Sequence, residues 1–430
     1  MDREASGGRG LVVVGASLAG VRAVQAARRA GYDGPIVLLG AEEHLPYDRP
    51  PLSKEFLTKD GEPVYYLTER ELRQDLMVDL RLGQPATGLD TAARTVSAEG
   101  VRIPYERLII ATGARPRLLG QLPGLPGVRT MRTLDDARAI RQAIHPGSHL
   151  VIVGGGFIGA EIASSARARG ATVTIAEVAP VPLVRAVGEV VGRALSGLHG
   201  RNGTRLICGV QVEEVLGTKR AEGVRLSTAE VIRADLVVVG VGVAPATEWL
   251  AGSGVALSPA DSAVLCDEYL RTSAPGVYAA GDVAHWPNRL LDCAMRLENW
   301  TNASDQGTQA AINALFPERA RAHETVPYFW SDWYGNRIQF VGTALAQSVC
   351  FASGGPDEEK FLALYRTGER LVGAATLNEP RKVMKYRRFI ASHGSWEGAL
   401  ELLTALSETR VSARQDGAAS AMRMASLCRP

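Results

Sequence analysis

Two short apolar runs in this chain each stop at a glycine-rich turn. Leu11-Val12-Val13-Val14 leads into Gly15-Ala16-Ser17-Leu18-Ala19-Gly20, and Val151-Ile152-Val153 leads into Gly154-Gly155-Gly156-Phe157-Ile158-Gly159. A strand that ends in such a turn and resumes as a helix belongs to a parallel, doubly wound sheet. The free N–H groups and positive dipole end of that helix suit a pyrophosphate. Gly154, Gly156 and Gly159 fill the pattern completely, whereas Ser17 replaces the middle glycine of the first turn, leaving Gly15, Ser17 and Gly20 with Ala19 between. In both copies the alternation continues alike. The pattern predicts a helix over 21–29 and a strand over 36–39 after the first turn, then a helix over 158–169 and a strand over 172–176 after the second. An acid follows each second strand, Glu42 and Glu177. Each is placed to accept a ribose 2′-hydroxyl. Glu177 would repel a 2′-phosphate, and Val178-Ala179-Pro180 offers no arginine to hold one, so the second site favours NADH over NADPH.

The rest of the chain narrows the class. Its 430 residues allow two or three domains, and a net charge of +2 provides no basic field for nucleic acid. The polar start and the absence of a long apolar run predict a cytoplasmic protein without a membrane span. Cys208, Cys266, Cys293, Cys350 and Cys428 form neither a CxxC pair nor a zinc knuckle, and read as inert thiols; no metal site is expected. Apolar strands ending at Gly113 and Gly242 close the two nucleotide segments, and 276–282 reads as a strand, an acid and then a helix. Past Val326 the aromatic residues Tyr328, Phe329, Trp330, Trp333 and Tyr334 introduce a third region with an antiparallel sheet, and 411–430 reads as a flexible tail.

The segment Pro46-Tyr47-Asp48-Arg49-Pro50-Pro51-Leu52-Ser53-Lys54 resembles the flavin-proximal loop of FAD-dependent ferredoxin reductases of the putidaredoxin-reductase type. Thr112-Gly113, Gly281-Asp282, Glu298-Asn299-Trp300 and Trp330-Ser331-Asp332 follow in the order found in that family. The resemblance implies a glutathione-reductase-like α/β fold: two doubly wound dinucleotide-binding domains plus a C-terminal α+β domain. The expected boundaries are 1–116 and 246–325 for FAD, 117–245 for NADH, and 326–410 for the C-terminal domain. FAD would be held by Gly15, Ser17, Ala19, Gly20, Glu42, Arg49, Lys54, Ala86, Thr112, Gly113, Arg132, Gly281, Asp282 and Trp300. Asp282 would take the ribitol, with the adjacent helix start at phosphate. NADH would be held by Gly154, Gly156, Phe157, Ile158, Gly159, Glu177, Gly242 and Glu298. Lys54 matches a lysine beside the isoalloxazine, paired with Glu161. Phe157 reads either as a nicotinamide contact or as core packing, and Trp330 either as the flavin edge or as a brace.

Glutathione and thioredoxin reductases carry a cysteine pair, and NADH oxidases and peroxidases a single first-domain cysteine; this chain has no cysteine before Cys208. That absence closes a disulfide or sulfenate route, and the resemblance implies that electrons pass from NADH through FAD, singly, to a [2Fe–2S] ferredoxin serving a cytochrome P450 or a ring-hydroxylating dioxygenase. Arg381, Lys382, Lys385, Arg387 and Arg388 form a basic cluster where an acidic ferredoxin would dock. The alternatives are a rubredoxin reductase or NADH oxidase of the same fold, or a redox-sensing binding flavoprotein resembling apoptosis-inducing factor.

Overall fold

The computed structural model describes residues 3–4, 10–118 and 125–411. Contacts divide the chain into two compact units. One holds Met1–Arg49, Pro63–Arg115 and Val243–Thr325; the other holds Pro50–Glu62, Pro116–Gly242 and Val326–Pro430. The short segment Pro50–Glu62 thus packs with residues distant from it in sequence.

In the first unit a sheet runs in the order Val78–Arg81, Ile36–Leu39, Gly10–Val14, Val101–Ile110, Thr95–Ala98, Ala86–Asp90. The strand Val101–Ile110 has two roles. Its first half pairs antiparallel with Thr95–Ala98, while Leu108–Ile110 pairs in parallel with both Gly10–Val14 and Val277–Ala279. The parallel strands are apolar on both faces because both faces are covered. Leu11, Val13, Leu38 and Ile109 pack with the helices Leu18–Arg29 and Trp300–Leu315. Val12, Val14, Leu39 and Ile110 pack on the other side with Val277, Val283 and Trp249. The first helix begins at Leu18, a turn earlier than the alternation suggests, since Ala19 and Gly20 join its first turn. A helix was expected directly after Asp282. Instead the hairpin Ala284–Asn288 and Cys293–Met295 follows, and the helix waits until Trp300. The alternately buried Ala284, Trp286 and Asn288 give that hairpin a strand period of two.

In the second unit five parallel strands run Arg205–Cys208, Thr172–Glu177, His149–Val153, Leu236–Val239, Val128–Thr130. The helix Phe157–Ala168 leaves the glycine turn, close to its expected span. A small antiparallel sheet, Val212–Leu216, Gly223–Leu226 and Val231–Arg233, covers one face through Val215, Val224 and Ile232. The aromatic-rich region forms the expected antiparallel sheet, ordered Tyr328–Trp333, Asn336–Gly342, Arg370–Leu377, Phe361–Thr367, Ser348–Ser353. Its inner face packs Trp333, Phe340, Phe361 and Tyr365 against Ala160 and the helix Val184–Arg201. Gly188 breaks that helix with φ of 75°, and the Tyr365 hydroxyl donates to the Val187 carbonyl beside the break, at 2.6 Å. The helices Pro380–Ala391 and Trp396–Val411 follow the sheet.

Of the expected tail, 412–430 lies outside the described residues. Cys208, Cys266 and Cys293 are free thiols, while Cys350 is disulfide-bonded, which departs from the expectation of thiols throughout. Among the described residues no helix is long and apolar enough to cross a membrane.

Candidate functional site

In both parallel sheets the strand that carries the glycine turn sits where the strand order reverses, the place such sheets bind ligands. In the first unit this point opens into a cavity of about 300 Å³. Its walls are the strand ends Val14-Gly15 and Leu39-Gly40, together with Ser17, Glu42, Arg49, Ala86, Thr112 and Trp249. Gly15 has φ of +119°, and a β-carbon there would overlap the Ala111 carbonyl, so the turn tolerates only glycine. Ser17 caps the helix with extended backbone but makes no capping hydrogen bond, which leaves the helix N–H groups for a ligand.

Arg49 organises the polar wall. It donates to Glu42 Oε1 at 2.6 Å, to the Tyr47 hydroxyl at 3.2 Å and to Ser17 Oγ at 3.3 Å. Burial works against its charge, but Tyr47 and Glu42 outweigh that cost and raise its pKa. Tyr47 also donates to Glu42 Oε2 at 2.6 Å. Glu42 is therefore held in place, with further lone pairs for a ribose. Tyr47 was not singled out by the sequence, although it stands within the quoted loop. Thr112 Oγ1 donates to the Ala246 carbonyl, tying two ends of the cavity wall together.

Gly281, with φ of +81°, lies against Ala19 of the first helical turn and donates its N–H to Gln306 Oε1. That brings Asp282 beside the turn, where Arg49 feels its charge, though it lies outside the cavity lining. Trp300 donates from Nε1 to Asp48 Oδ1 at 2.8 Å, and Tyr66 donates to the same oxygen at 2.7 Å. Glu298, expected with the second nucleotide, belongs to the first unit and pairs with Arg296 at 2.8 Å. Arg132, expected with the first, belongs to the second unit just ahead of the helix Leu134–Ala143.

The second turn repeats the geometry. Gly154 has φ of +105° beside the Gly240 carbonyl, and Gly156 begins the helix with no capping side chain. Glu177 is the last residue of its strand. Its Oε2 accepts the Gly155 N–H at 2.6 Å and its Oε1 the Ala179 N–H at 2.8 Å. The acid is thus positioned over the turn by backbone donors alone. The neighbouring strand ends at Val239, not at Gly242 as expected; Gly242, with φ of +99°, lies directly before the strand Val243–Pro245, and Ile158 is exposed. Phe157 packs on Phe329 at 4.7 Å and Trp333 at 5.9 Å and is only partly buried, an arrangement compatible with both of its expected roles.

One helical turn past Phe157, Glu161 is 5% exposed and pairs with Lys54 at 3.0 Å. Lys54 Nζ also donates to the Pro50 carbonyl. Two hydroxyls to which the sequence assigns no role, although both stand in the quoted motifs, complete the cluster: Ser53 and Ser331 each donate to Glu161 at 2.5 Å. Arg169 and Arg141 hold the Lys54 segment by its backbone, donating to the carbonyls of Leu57 and of Phe56, Lys59 and Gly61.

The basic cluster does not share one face. On the helix Pro380–Ala391, Val383, Tyr386 and Ile390 point inward. The same helical period buries Lys382, which pairs with Glu379 at 3.5 Å, and tilts Arg387 inward to donate to the Val326 carbonyl. Arg381, Lys385 and Arg388 remain exposed, spaced as one stripe.

The sequence profile of the pyridine nucleotide-disulphide oxidoreductases matches residues 9–307, and a reductase C-terminal profile matches 328–400. The chain belongs to the pyridine nucleotide-disulphide oxidoreductase family. It is 35% identical to rhodocoxin reductase of Rhodococcus erythropolis over 89% of each chain. It is also 35% identical to the ferredoxin–NAD(+) reductase component of the biphenyl dioxygenase system of Paraburkholderia xenovorans, over 90% of this chain and 94% of that one. Its fold is similar to putidaredoxin reductase in the covalent complex with putidaredoxin: TM-score 0.86, 28% identity, 93% of this chain and 99% of that one.

Proposed function

We propose that this chain is an NADH-dependent flavoprotein reductase that transfers electrons through FAD to a [2Fe–2S] ferredoxin serving a cytochrome P450 or a ring-hydroxylating dioxygenase. The observation that carries this reading is the presence of two glycine turns at two sheet switch points, in a chain with no cysteine ahead of Cys208. With no cysteine ahead of Cys208 there is no first-domain thiol relay for electrons gathered from a nicotinamide, which favours a separate carrier. The full-length likeness to ferredoxin–NAD(+) reductase components supports that carrier.

The first cavity fits FAD: a glycine cradle that a β-carbon would fill, uncapped helix N–H groups and the fixed acid Glu42. When bound, FAD supplies two-electron acceptance from NADH and one-electron release to the ferredoxin. The chain supplies position and charge. Gly15, Ser17 and Gly20 take the pyrophosphate at the helix start, Glu42 and Ala86 the adenosine, and Thr112-Gly113 and Gly281-Asp282 the remainder. Gly154, Gly156 and Gly159 seat the NADH pyrophosphate, with Glu177 on its ribose. Lys54, paired with Glu161, would be the cation that balances negative charge on FAD when it is bound. In domain terms, 1–116 and 246–325 serve FAD, 117–245 serves NADH and 326–410 forms the C-terminal domain.

Glu177→Ala should erode the preference for NADH, raising KM for NADH roughly 10-fold for the lost pair of ribose hydrogen bonds while NADPH gains. Steady-state KM for both nucleotides reads this directly, and an unchanged ratio would remove the assigned role. The exposed stripe of Arg381, Lys385 and Arg388 is the proposed ferredoxin surface. Reversing these three charges should raise KM for ferredoxin and flatten its dependence on ionic strength, because rim charges act mainly through association rate. If neither quantity moves, the ferredoxin docks elsewhere.

Anaerobic NADH titration of the purified protein, followed by cytochrome c reduction with and without added [2Fe–2S] ferredoxin, tests the whole reading. Bleaching of the flavin and ferredoxin-dependent turnover are expected. Equal turnover without ferredoxin, or with oxygen alone, would replace the proposal with an oxidase.

A further inference from the structure

A buried carboxylate is stable only when its charge is paired and its remaining lone pairs are satisfied. Glu161 meets this condition through three side chains from two parts of the second unit. Ser53 and Lys54 come from one segment; Ser331 comes from the strand Tyr328–Trp333 of the antiparallel sheet. Ser331 and Lys54 reach the same oxygen, Oε1, while Ser53 takes Oε2.

Ser331 differs from Ser53 in two respects. Ser53 moves with Lys54, so it cannot fix the lysine against an outside frame. Ser331 is completely buried within a paired strand, and its hydroxyl also accepts the Trp333 Nε1–H at 2.7 Å. Two residues apart on a strand, both side chains point to one face. A hydroxyl that accepts from the indole must direct its own hydrogen elsewhere, and Glu161 Oε1 is its acceptor. The chain of donors therefore runs Trp333 to Ser331 to Glu161, and fixes the oxygen that Lys54 meets.

We propose that Ser331 is a positioning residue that holds the Lys54 ammonium in place through the Glu161 carboxylate. The functional consequence rests on the reading of Lys54 as the redox-site cation; the geometric statement does not. Removing the hydroxyl frees Oε1 to rotate, and with it the partner of the lysine.

The test is the chemical reactivity of the lysine amine in the full, flavin-loaded protein. Brief acetic anhydride labelling with peptide mass spectrometry gives acetylation rates for Lys54, for the exposed Lys59 in the same segment and for the buried Lys382. In Ser331→Ala, Lys54 should label several-fold faster while Lys59 and Lys382 keep their rates, and Ser331→Thr should restore protection. An unchanged Lys54 rate, or a parallel rise at Lys382, would overturn the proposal, the second by showing general loosening. If Ser331→Ala does not fold, Ser331→Cys, a near-isostere with a weak donor, answers the same question. Stopped-flow reduction by NADH supplies a separate readout. Ser331→Ala should slow reduction with Lys54 present and add nothing in a Lys54→Met background; an equal slowing in both backgrounds would also overturn it. Should Lys54→Met itself leave reduction untouched, the functional reading of the lysine fails while the labelling still decides the role of Ser331.

Discussion

Gly154→Ala is expected to abolish reduction by NADH while the protein keeps its flavin. The new β-carbon would overlap the Gly240 carbonyl oxygen and lie 2.9 Å from its carbon, and the backbone at this position has φ of +105°. Both atoms belong to the backbone immediately after the neighbouring strand Leu236–Val239, so they cannot swing aside as a flexible side chain would. Left-handed backbone alone costs an L-residue about 1–2 kcal/mol. The steric overlap adds a displacement of the turn, and the helix N–H groups lose their aim at the pyrophosphate. A loss of at least about 100-fold in nucleotide affinity follows from roughly 3 kcal/mol. Absorbance ratios of flavin to protein check retention, and stopped-flow traces check reduction. Gly156→Ala provides the control, because a β-carbon there meets nothing within 4 Å. That variant should fold unchanged, so any loss of NADH binding reports on the nucleotide itself. Normal NADH kinetics in Gly154→Ala would remove the nucleotide from this turn.

The features of the site that could be read from sequence are the local ones. A glycine after an apolar run, and an acid after the next strand, are relations within about 25 residues, and they placed Gly15, Gly154 and Glu177 where the structure has them. Relations across the chain needed either the resemblance or the coordinates. Lys54 and Glu161 are brought together because Pro50–Glu62 packs with the second unit, which no periodicity in that proline-rich segment encodes. Ser53 and Ser331 stand within the quoted motifs, but their role as partners of Glu161 is not legible there, because a serine hydroxyl has no sequence signature while its burial is unknown. Charge counting was misleading at Lys382 for a related reason. A run of cations looks uniform in sequence, but a helix turns 100° per residue, and two of the five positions face inward. The hairpin after Asp282 was missed because Ala284-His285-Trp286-Pro287-Asn288 mixes helix-forming and strand-forming residues over too short a stretch to settle a period.

Lys54→Met should have two separable effects, one on stability and one on electron entry. The ion pair is 3.0 Å long between side chains that are 14% and 6% exposed. Removing the cation leaves a buried carboxylate supported only by the Ser53 and Ser331 hydroxyls, and breaking such a pair from one side typically costs about 3–5 kcal/mol. The two short hydrogen bonds should hold the loss near the lower figure. Adding Glu161→Gln to Lys54→Met removes the orphaned charge and should recover most of the stability, a non-additivity that denaturant titration of the single and double variants measures. Electron entry should not recover. If the ammonium is the group that balances charge on the reduced cofactor, its loss should slow reduction by NADH by roughly 100-fold, the scale of removing one preorganised electrostatic donor. Neutralising Glu161 cannot replace a missing cation, so the double variant should remain as slow as Lys54→Met. Recovery of stability together with rate would show that Lys54 acts only by neutralising Glu161, and the cation at the redox centre would have to be sought among other residues.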